Sequence, residues 1–162
     1  MKVLVLCAGA VLTLALTSVA TANDPGNSFA VGSAKTDLGG AVGIEHASFS
    51  AHAIPGPEGT CPAKGHIVYE SAAFEFRAEV TELTVVGNAA YFGAEVTKAD
   101  RGPVEVGDEA FFNVSDSGLP GGAGDTFLFE NTIAGGSPGT ACFEPVPGHP
   151  ITSGNIVIKS NE

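Results

Sequence analysis

Residues 74–97, FEFRAEVTELTVVGNAAYFGAEVT, decide the fold class of this chain. Apolar and polar side chains alternate along most of this stretch, which is the period of a half-buried β-strand. The alternation slips by one residue near Thr81 and Glu82, which predicts a β-bulge that bends the sheet toward closure. Gly87 and Asn88 then form a two-residue turn of the type that joins antiparallel strands. The stretch is therefore predicted to be a β-hairpin with a bent first strand.

The same alternation continues on both sides of the hairpin, between loops rich in glycine and proline. Further strands are predicted near residues 44–53, 66–71, 109–115, 126–132 and 155–160. In total the pattern gives about seven or eight antiparallel strands in meander order and no strong helix. We therefore predict an all-β domain, a single antiparallel meander that closes into a small β-barrel because its edges must be covered. A β-sandwich is the alternative.

Residues 1–22 have the pattern of a secretory signal peptide: an early lysine, an apolar run, and an Ala-Thr-Ala sequence that ends at Ala22. The apolar run is shorter than the ~20 residues that span a bilayer as a helix. We therefore expect a secreted, extracellular protein, associated with the cell surface as an alternative, and no stable membrane insertion after cleavage.

The exported part divides into two regions. Residues 23–40 are rich in Gly, Ser and Asp, and they predict a flexible N-terminal leader, with one edge strand as the alternative. Residues 41–162 carry the strand pattern and are predicted to form the barrel-like domain.

The charge of the chain excludes several kinds of partner. The sequence has 7 basic and 18 acidic residues and a formal net charge of −11, and loss of Lys2 with the signal peptide makes it one unit more negative. Phosphate groups would be repelled, so nucleic acid and anionic lipid are disfavoured. An extracellular protein or a glycan remains as the expected partner.

Two cysteines, Cys61 and Cys142, remain after removal of the signal peptide. In an oxidising compartment an even pair of cysteines predicts one disulfide. A crosslink over a loop of this length would stabilise the fold by roughly 4.5 kcal/mol in the chain-entropy model.

Five stretches, in chain order, resemble a known family. They are ASFSAHAIPG, AKGHIVYES, FRAEVTELTVVGNAAYFGAEV, DSGLPGGAGDTFLF and SGNIVIK, within residues 41–159. Together they resemble the post-COAP domain, a secreted bacterial β domain. The resemblance implies an exported small barrel, and since that family has no established activity, it supplies no catalytic residues. Both cysteines lie in stretches that look inserted relative to the compact family pattern, so the disulfide would be local to this chain.

The stretch DSGLPGGAGDTF, residues 116–127, allows two interpretations. Asp116 and Asp125 would donate carboxylate oxygens to Ca²⁺, with glycine carbonyls as further ligands, although the spacing is not that of an EF-hand. Alternatively, the stretch is a long hairpin loop whose glycines supply positive φ and whose aspartates fix its ends. Calcium is thus the one cofactor that the sequence suggests.

Histidines do not give a strong metal motif. His46 and His52 share a strand face, but six residues of strand separate them by ~20 Å, so they cannot bind one ion together. His66 on a neighbouring strand would reach either of them, and His149 lies in a proline-rich loop. Exposed strand histidines are the favoured interpretation over a zinc site.

Catalytic motifs are sparse. Glu75 and Glu79 flank Arg77 on one strand face, and a carboxylate pair can hydrolyse glycosides when a cleft raises one pKa. On a solvated strand such charges more often block edge pairing. The alternative to a non-catalytic protein is therefore a barrel-type secreted enzyme that uses carboxylates or histidines in its lumen, and a lumen filled with apolar side chains would contradict it.

Tyr69, Tyr91 and Phe111 are predicted to lie on the polar faces of their strands. There they would form a binding surface for a stacked sugar or a protein partner. The sequence as a whole therefore favours a secreted, non-catalytic extracellular or cell-surface β module with a structural or binding role.

Overall fold

The structure, a computed structural model, describes residues 28–40, 43–133 and 142–161. The expected signal peptide, residues 1–22, lies outside these ranges. Within them the chain forms nine strands, in chain order: β1 (Phe29–Asp37), β2 (Ile44–Ala53), β3 (Ala63–Glu70), β4 (Glu75–Val86), β5 (Ala89–Arg101), β6 (Glu109–Ser115), β7 (Thr126–Ile133), β8 (His149–Pro150) and β9 (Ser153–Lys159).

All nine strands belong to one antiparallel sheet in the order β8-β7-β6-β5-β4-β3-β2-β1-β9. Strands β1 to β7 form a meander, and the sheet curls into a half-barrel. The described residues include one short 3-10 turn, Pro120–Gly122, and no α-helix. The predicted fold class is confirmed, with a single sheet as in the barrel and not two as in the sandwich.

The predicted bulge is present in β4. Val80 pairs with Ala94 but Glu82 pairs with Gly93, so Thr81 is the extra residue in the ladder. Before the bulge the even-numbered positions of β4 face the interior, and after it Leu83 and Val85 do so. The bulge thus keeps both halves of a long strand packed on one core while the strand bends.

Aromatic rings fill the interior. The rings buried in this core are those of Phe49, Tyr69, Phe76, Phe92, Phe112 and Phe127. Neighbouring ring centroids lie 5.2 Å apart for Phe92 and Phe112 and 5.3 Å apart for Phe49 and Phe92. The alternating apolar residues of β2, β5 and β6, which include Phe49, Phe92 and Phe112, are buried, as period-two alternation predicts.

Within the region predicted as a leader, residues 23–40, the chain forms β1, so the alternative prediction of one strand fits this part, although the strand does not lie at an edge. This strand pairs with β2 on one side and β9 on the other. Its buried positions include Ala30 and Ala34, and a Cβ at Gly32 would collide with the backbone of Asn155 in β9. Small inner residues give a weak hydrophobic alternation, so the strand resembles a loop in sequence.

The last part of the chain moves from one sheet edge to the other. Strand β8 pairs with the start of β7, and after Ile151 and Thr152 the chain continues as β9 beside β1. The backbone N–H of Thr152 donates to the carbonyl of Lys35 at 2.6 Å. One chain segment therefore spans the two edges and brings the barrel toward closure.

Candidate functional site

Asp125, one of the two candidate calcium ligands, is buried against the free edge of β9. Its side chain is 1% exposed. Oδ1 accepts the backbone N–H of Ser117 at 2.9 Å, and Oδ2 accepts the backbone N–H of Ile156 at 3.0 Å. The Asp125 carboxylate therefore satisfies an edge donor of β9 that no strand pairs with.

Asp116 makes a similar pair of contacts. Its Oδ1 accepts the N–H of Gly118 at 2.7 Å, and its Oδ2 accepts the N–H of Ile158 at 3.3 Å. Together the two aspartates join the loop at residues 116–125 to β9, and we call this contact the seam. The aspartates fix the loop, as the turn interpretation expected.

Metal-ligand geometry is absent from the part of the chain that the structure describes: no group of three or more His, Cys, Asp or Glu side chains is placed to hold an ion. His46, His52 and His66 lie on the outer side of the sheet, and His66 pairs with Ser50 of β2 and with Glu79 of β4. His149 lies in β8. Calcium at the seam stays a prediction, and its test is given in the Discussion.

Tyr69 lies inside the barrel, which corrects its predicted place on the binding surface. It is 1% exposed, and its hydroxyl donates to Oε1 of Glu45 at 2.5 Å. Thr36 donates to the other oxygen of Glu45 at 2.9 Å. Burial, together with Glu45, raises the pKa of Tyr69 well above its ordinary value. Because Val68 and Tyr69 are both apolar enough for the core, alternation alone does not decide which one faces inward.

Tyr91 and Phe111, in contrast, come together on the outer face of β5 and β6, where Tyr91 is 5% exposed and Phe111 is half-buried. Their rings stack with centroids 6.0 Å apart and planes 20° apart. Phe143 packs on Tyr91 at 5.3 Å and is itself 50% exposed. We call Tyr91, Phe111 and Phe143 the aromatic shelf. Phe143 was not predicted as part of this surface, because its glycine- and proline-rich surroundings carry no periodic signal.

Residues 142–148, which we call the strap, hold Phe143 over the sheet. Cys142 and Cys61 form a disulfide with their Cα atoms 5.5 Å apart. Farther along, the N–H of Val146 donates to Oδ1 of Asn113 at 2.8 Å. The predicted cysteine pair is thus present, and it fixes one end of the strap beside the aromatic shelf.

Glu82 lies beside the shelf, where the bulge turns it to the outer face of the sheet. Its side chain is 2% exposed, and neither carboxylate oxygen has a hydrogen-bond partner. It extends over Gly93, where a Cβ would lie 2.5 Å from Oε1, so only glycine leaves room for it. The neighbouring Leu83 donates its N–H to the carbonyl of Cys61 at 2.9 Å, which places Glu82 next to the disulfide.

A row of three further carboxylates crosses the same face. Glu79, Glu95 and Glu109 are cross-strand neighbours on β4, β5 and β6, and we call them the acidic row. Glu79 and Glu95 are exposed, whereas Glu109 is buried. The acidic row, Glu82 and the aromatic shelf together form what we call the acidic–aromatic face.

Burial and then the charge of Glu109 together raise the pKa of Glu82 from its ordinary 4.5 to about 7. The Tyr91 hydroxyl opposes part of this effect, although it does not reach hydrogen-bond geometry with either oxygen. Burial and then the charge of Glu82 raise the pKa of Tyr91 in turn. The face thus holds a carboxyl group that changes its charge near neutral pH.

The raised pKa of Glu82 predicts that the stability of the folded protein depends on pH. Glu82 holds its proton more tightly in the folded chain than in the unfolded chain. Its contribution to the free energy of unfolding is therefore fully present below about pH 4.5 and is lost as the pH rises through about 7. The loss should be about 3 kcal/mol. Glu82→Gln, measured by urea unfolding, should match the wild type at low pH and exceed it at about pH 8. The exposed Glu79→Gln variant is the control. If the free energy of unfolding of Glu82→Gln fell with rising pH as steeply as that of the wild type, the assignment would be contradicted.

A separate cavity of about 240 Å³ lies under the loop between β2 and β3. Its walls are mainly loop residues 53–62, with Leu83 of β4 as the remaining lining residue. The loop backbone is close-packed, because a Cβ at Gly56 would collide with the Pro62 ring. The cavity is separate from the acidic–aromatic face, since none of the residues of that face lines it.

Comparison with known proteins gives no relative: no family model, no curated protein and no solved structure matches the chain. The resemblance to the post-COAP domain therefore stays a prediction. In the described ranges no helix combines the length and the apolar character needed to cross a membrane.

Proposed function

We propose that this protein is an exported, non-catalytic β-barrel module that binds an extracellular partner through its acidic–aromatic face. The observation that carries the proposal is the position of Phe143. This ring is half exposed, yet Tyr91 supports it from below and the disulfide anchors the strap next to it. An aromatic side chain held in place before binding loses little conformational entropy when a partner covers it.

The filled interior supports a binding role over an enzymatic one. A lumenal enzyme would need polar groups that face an internal cavity, whereas aromatic rings occupy this core. Glu45, a carboxylate that does face inward, has both oxygens occupied by the hydroxyls of Tyr69 and Thr36. Glu45 is therefore not free to act as a catalytic acid or base inside the barrel.

Two features support export. The cysteine pair at disulfide geometry is typical of proteins in an oxidising compartment. The N-terminal sequence has the pattern of a cleaved signal peptide. A post-COAP-type domain at or outside the cell surface would have both properties.

Site-specific photo-crosslinking on intact producing cells tests the proposed function. A benzophenone amino acid in place of Phe143 should form an adduct with the partner upon illumination. The control places the same group at Val157, which is 41% exposed and lies in the edge strand β9, outside the acidic–aromatic face. Adducts from position 143 alone support the proposal. Equal adducts from both positions, or none from 143, would contradict it.

A further inference from the structure

We propose that the partner presents a basic segment, rich in lysine or arginine, to the acidic–aromatic face. This inference rests on the proposed function and names the chemistry of its partner. Four carboxylates and three aromatic rings lie on the outer side of β4, β5 and β6 and in the strap. Glu79, Glu95 and Phe143 are exposed to a partner, and the buried groups Glu82, Glu109 and Tyr91 lie beside them.

The acidic row is the first reason. Its three carboxylates occupy directly paired positions on strands about 4.8 Å apart, and like charges in such positions destabilise a sheet. The described ion pairs join Lys98 to Asp100 and Arg101 to Glu75, and neither of them involves the exposed carboxylates Glu79 and Glu95. A docked basic side chain would reduce the repulsion, and Glu79 and Glu95 are exposed to receive it.

Glu82 is the second and independent reason. It is a buried carboxyl without a hydrogen-bond partner, it extends over Gly93 toward the row, and it is coupled to the charge of Glu109. The groups that act on its charge are Tyr91 from β5 and Glu109 from β6, and Glu95 is the cross-strand partner of Glu79 in the row. None of these supplies a positive charge. A cation above the row would stabilise the ionised form of Glu82, so binding should release a proton.

The aromatic shelf is the third reason. Phe111 follows Glu109 by two residues on the same outer face of β6, so shelf and row are contiguous. Ammonium and guanidinium groups are attracted to aromatic ring faces, with guanidinium the more frequent partner. Rings beside carboxylates thus offer both the stacking surface and the negative charge that an arginine side chain requires. In addition, the net charge of −11 steers cationic partners toward the protein.

Binding of a dye-labelled hexa-arginine peptide, followed by fluorescence anisotropy, tests this inference. The wild type should bind the peptide, with affinity falling as salt rises from about 50 to about 200 mM. The double variant Glu79→Gln/Glu95→Gln should lose about tenfold in affinity. Glu58→Gln/Glu70→Gln removes the same charge from exposed positions outside the face, and it should lose less than about twofold.

A pH series separates this site from general charge attraction. Wild-type affinity should rise from about pH 6 to about pH 8, because binding favours ionised Glu82, and Glu82→Gln should not show the rise. Equal losses in the two double variants, or no peptide binding, would overturn the inference. The inference would also be overturned if the protein bound a neutral oligosaccharide with an affinity that is independent of salt and unchanged in Glu79→Gln/Glu95→Gln. If position 143 still crosslinks to a partner in that case, the proposed function stands without the basic segment.

Discussion

Replacing both Cys61 and Cys142 with serine is expected to lower the free energy of unfolding by about 4.5 kcal/mol. The disulfide joins residues 81 positions apart, and breaking it restores the freedom of that long loop to the unfolded chain. The net stability of a domain is of order 5–15 kcal/mol, so this loss is a large fraction of it.

Urea unfolding of the oxidised protein and of the double variant measures this effect, and removing both cysteines avoids a stray thiol. The variant should remain folded in dilute buffer, because the inner faces of β2 to β7 do not depend on the crosslink. It should lose the fixed position of the strap, detected as faster hydrogen exchange at the Val146 amide, which donates to Asn113. A loss of stability below about 1 kcal/mol would show that the strap is held without the disulfide.

Replacing Asp125 with alanine is expected to cost about 3 kcal/mol of the free energy of unfolding. The carboxylate accepts two backbone N–H groups, from Ser117 and from Ile156 of β9, and it is 1% exposed. Alanine would leave those donors without an acceptor at the seam. Asp116→Ala is the comparison, because loss of this partly exposed carboxylate should lower the free energy of unfolding by only about 1 kcal/mol. Equal small losses in the two variants would contradict the role assigned to the seam.

The same aspartates allow the calcium prediction to be decided. Since each oxygen of Asp125 already accepts a backbone N–H, the seam requires no cation, and millimolar Ca²⁺ should leave the wild-type midpoint of thermal unfolding unchanged. A rise in that midpoint, absent from the Asp116→Asn/Asp125→Asn double variant, would establish a metal loop formed in the native state.

Sequence pattern was sufficient where side chains alternate strongly. The hairpin of β4 and β5, its bulge after Val80 and the inward phenylalanines follow from period two alone. Alternation failed for β1, whose inner side chains are as small as Ala30, and for Tyr69, whose neighbour Val68 is equally apolar. In these places packing against other strands, and not local pattern, selects the inward side.

The candidate site was only partly predictable for a different reason. Tyr91 and Phe111 were expected on an outer face, but Phe143 reaches them through a disulfide and a strap without periodicity. Glu82 was noted only as part of the slip in the alternation, although Gly93 opposite it marks where a side chain needs room. Such long-range contacts form only when the sheet curls, so short stretches of sequence do not contain them.

The most direct test of the account is an amide chemical-shift map of the ¹⁵N-labelled protein during titration with the hexa-arginine peptide. We predict that the largest shifts fall on β4 to β6 around Gly93, Glu95 and Phe111, with the strap shifting alongside them. Shifts centred on the β2–β3 loop cavity or on the seam at residues 116–125, with the acidic–aromatic face unchanged, would contradict the central claim that this outer face is the binding site.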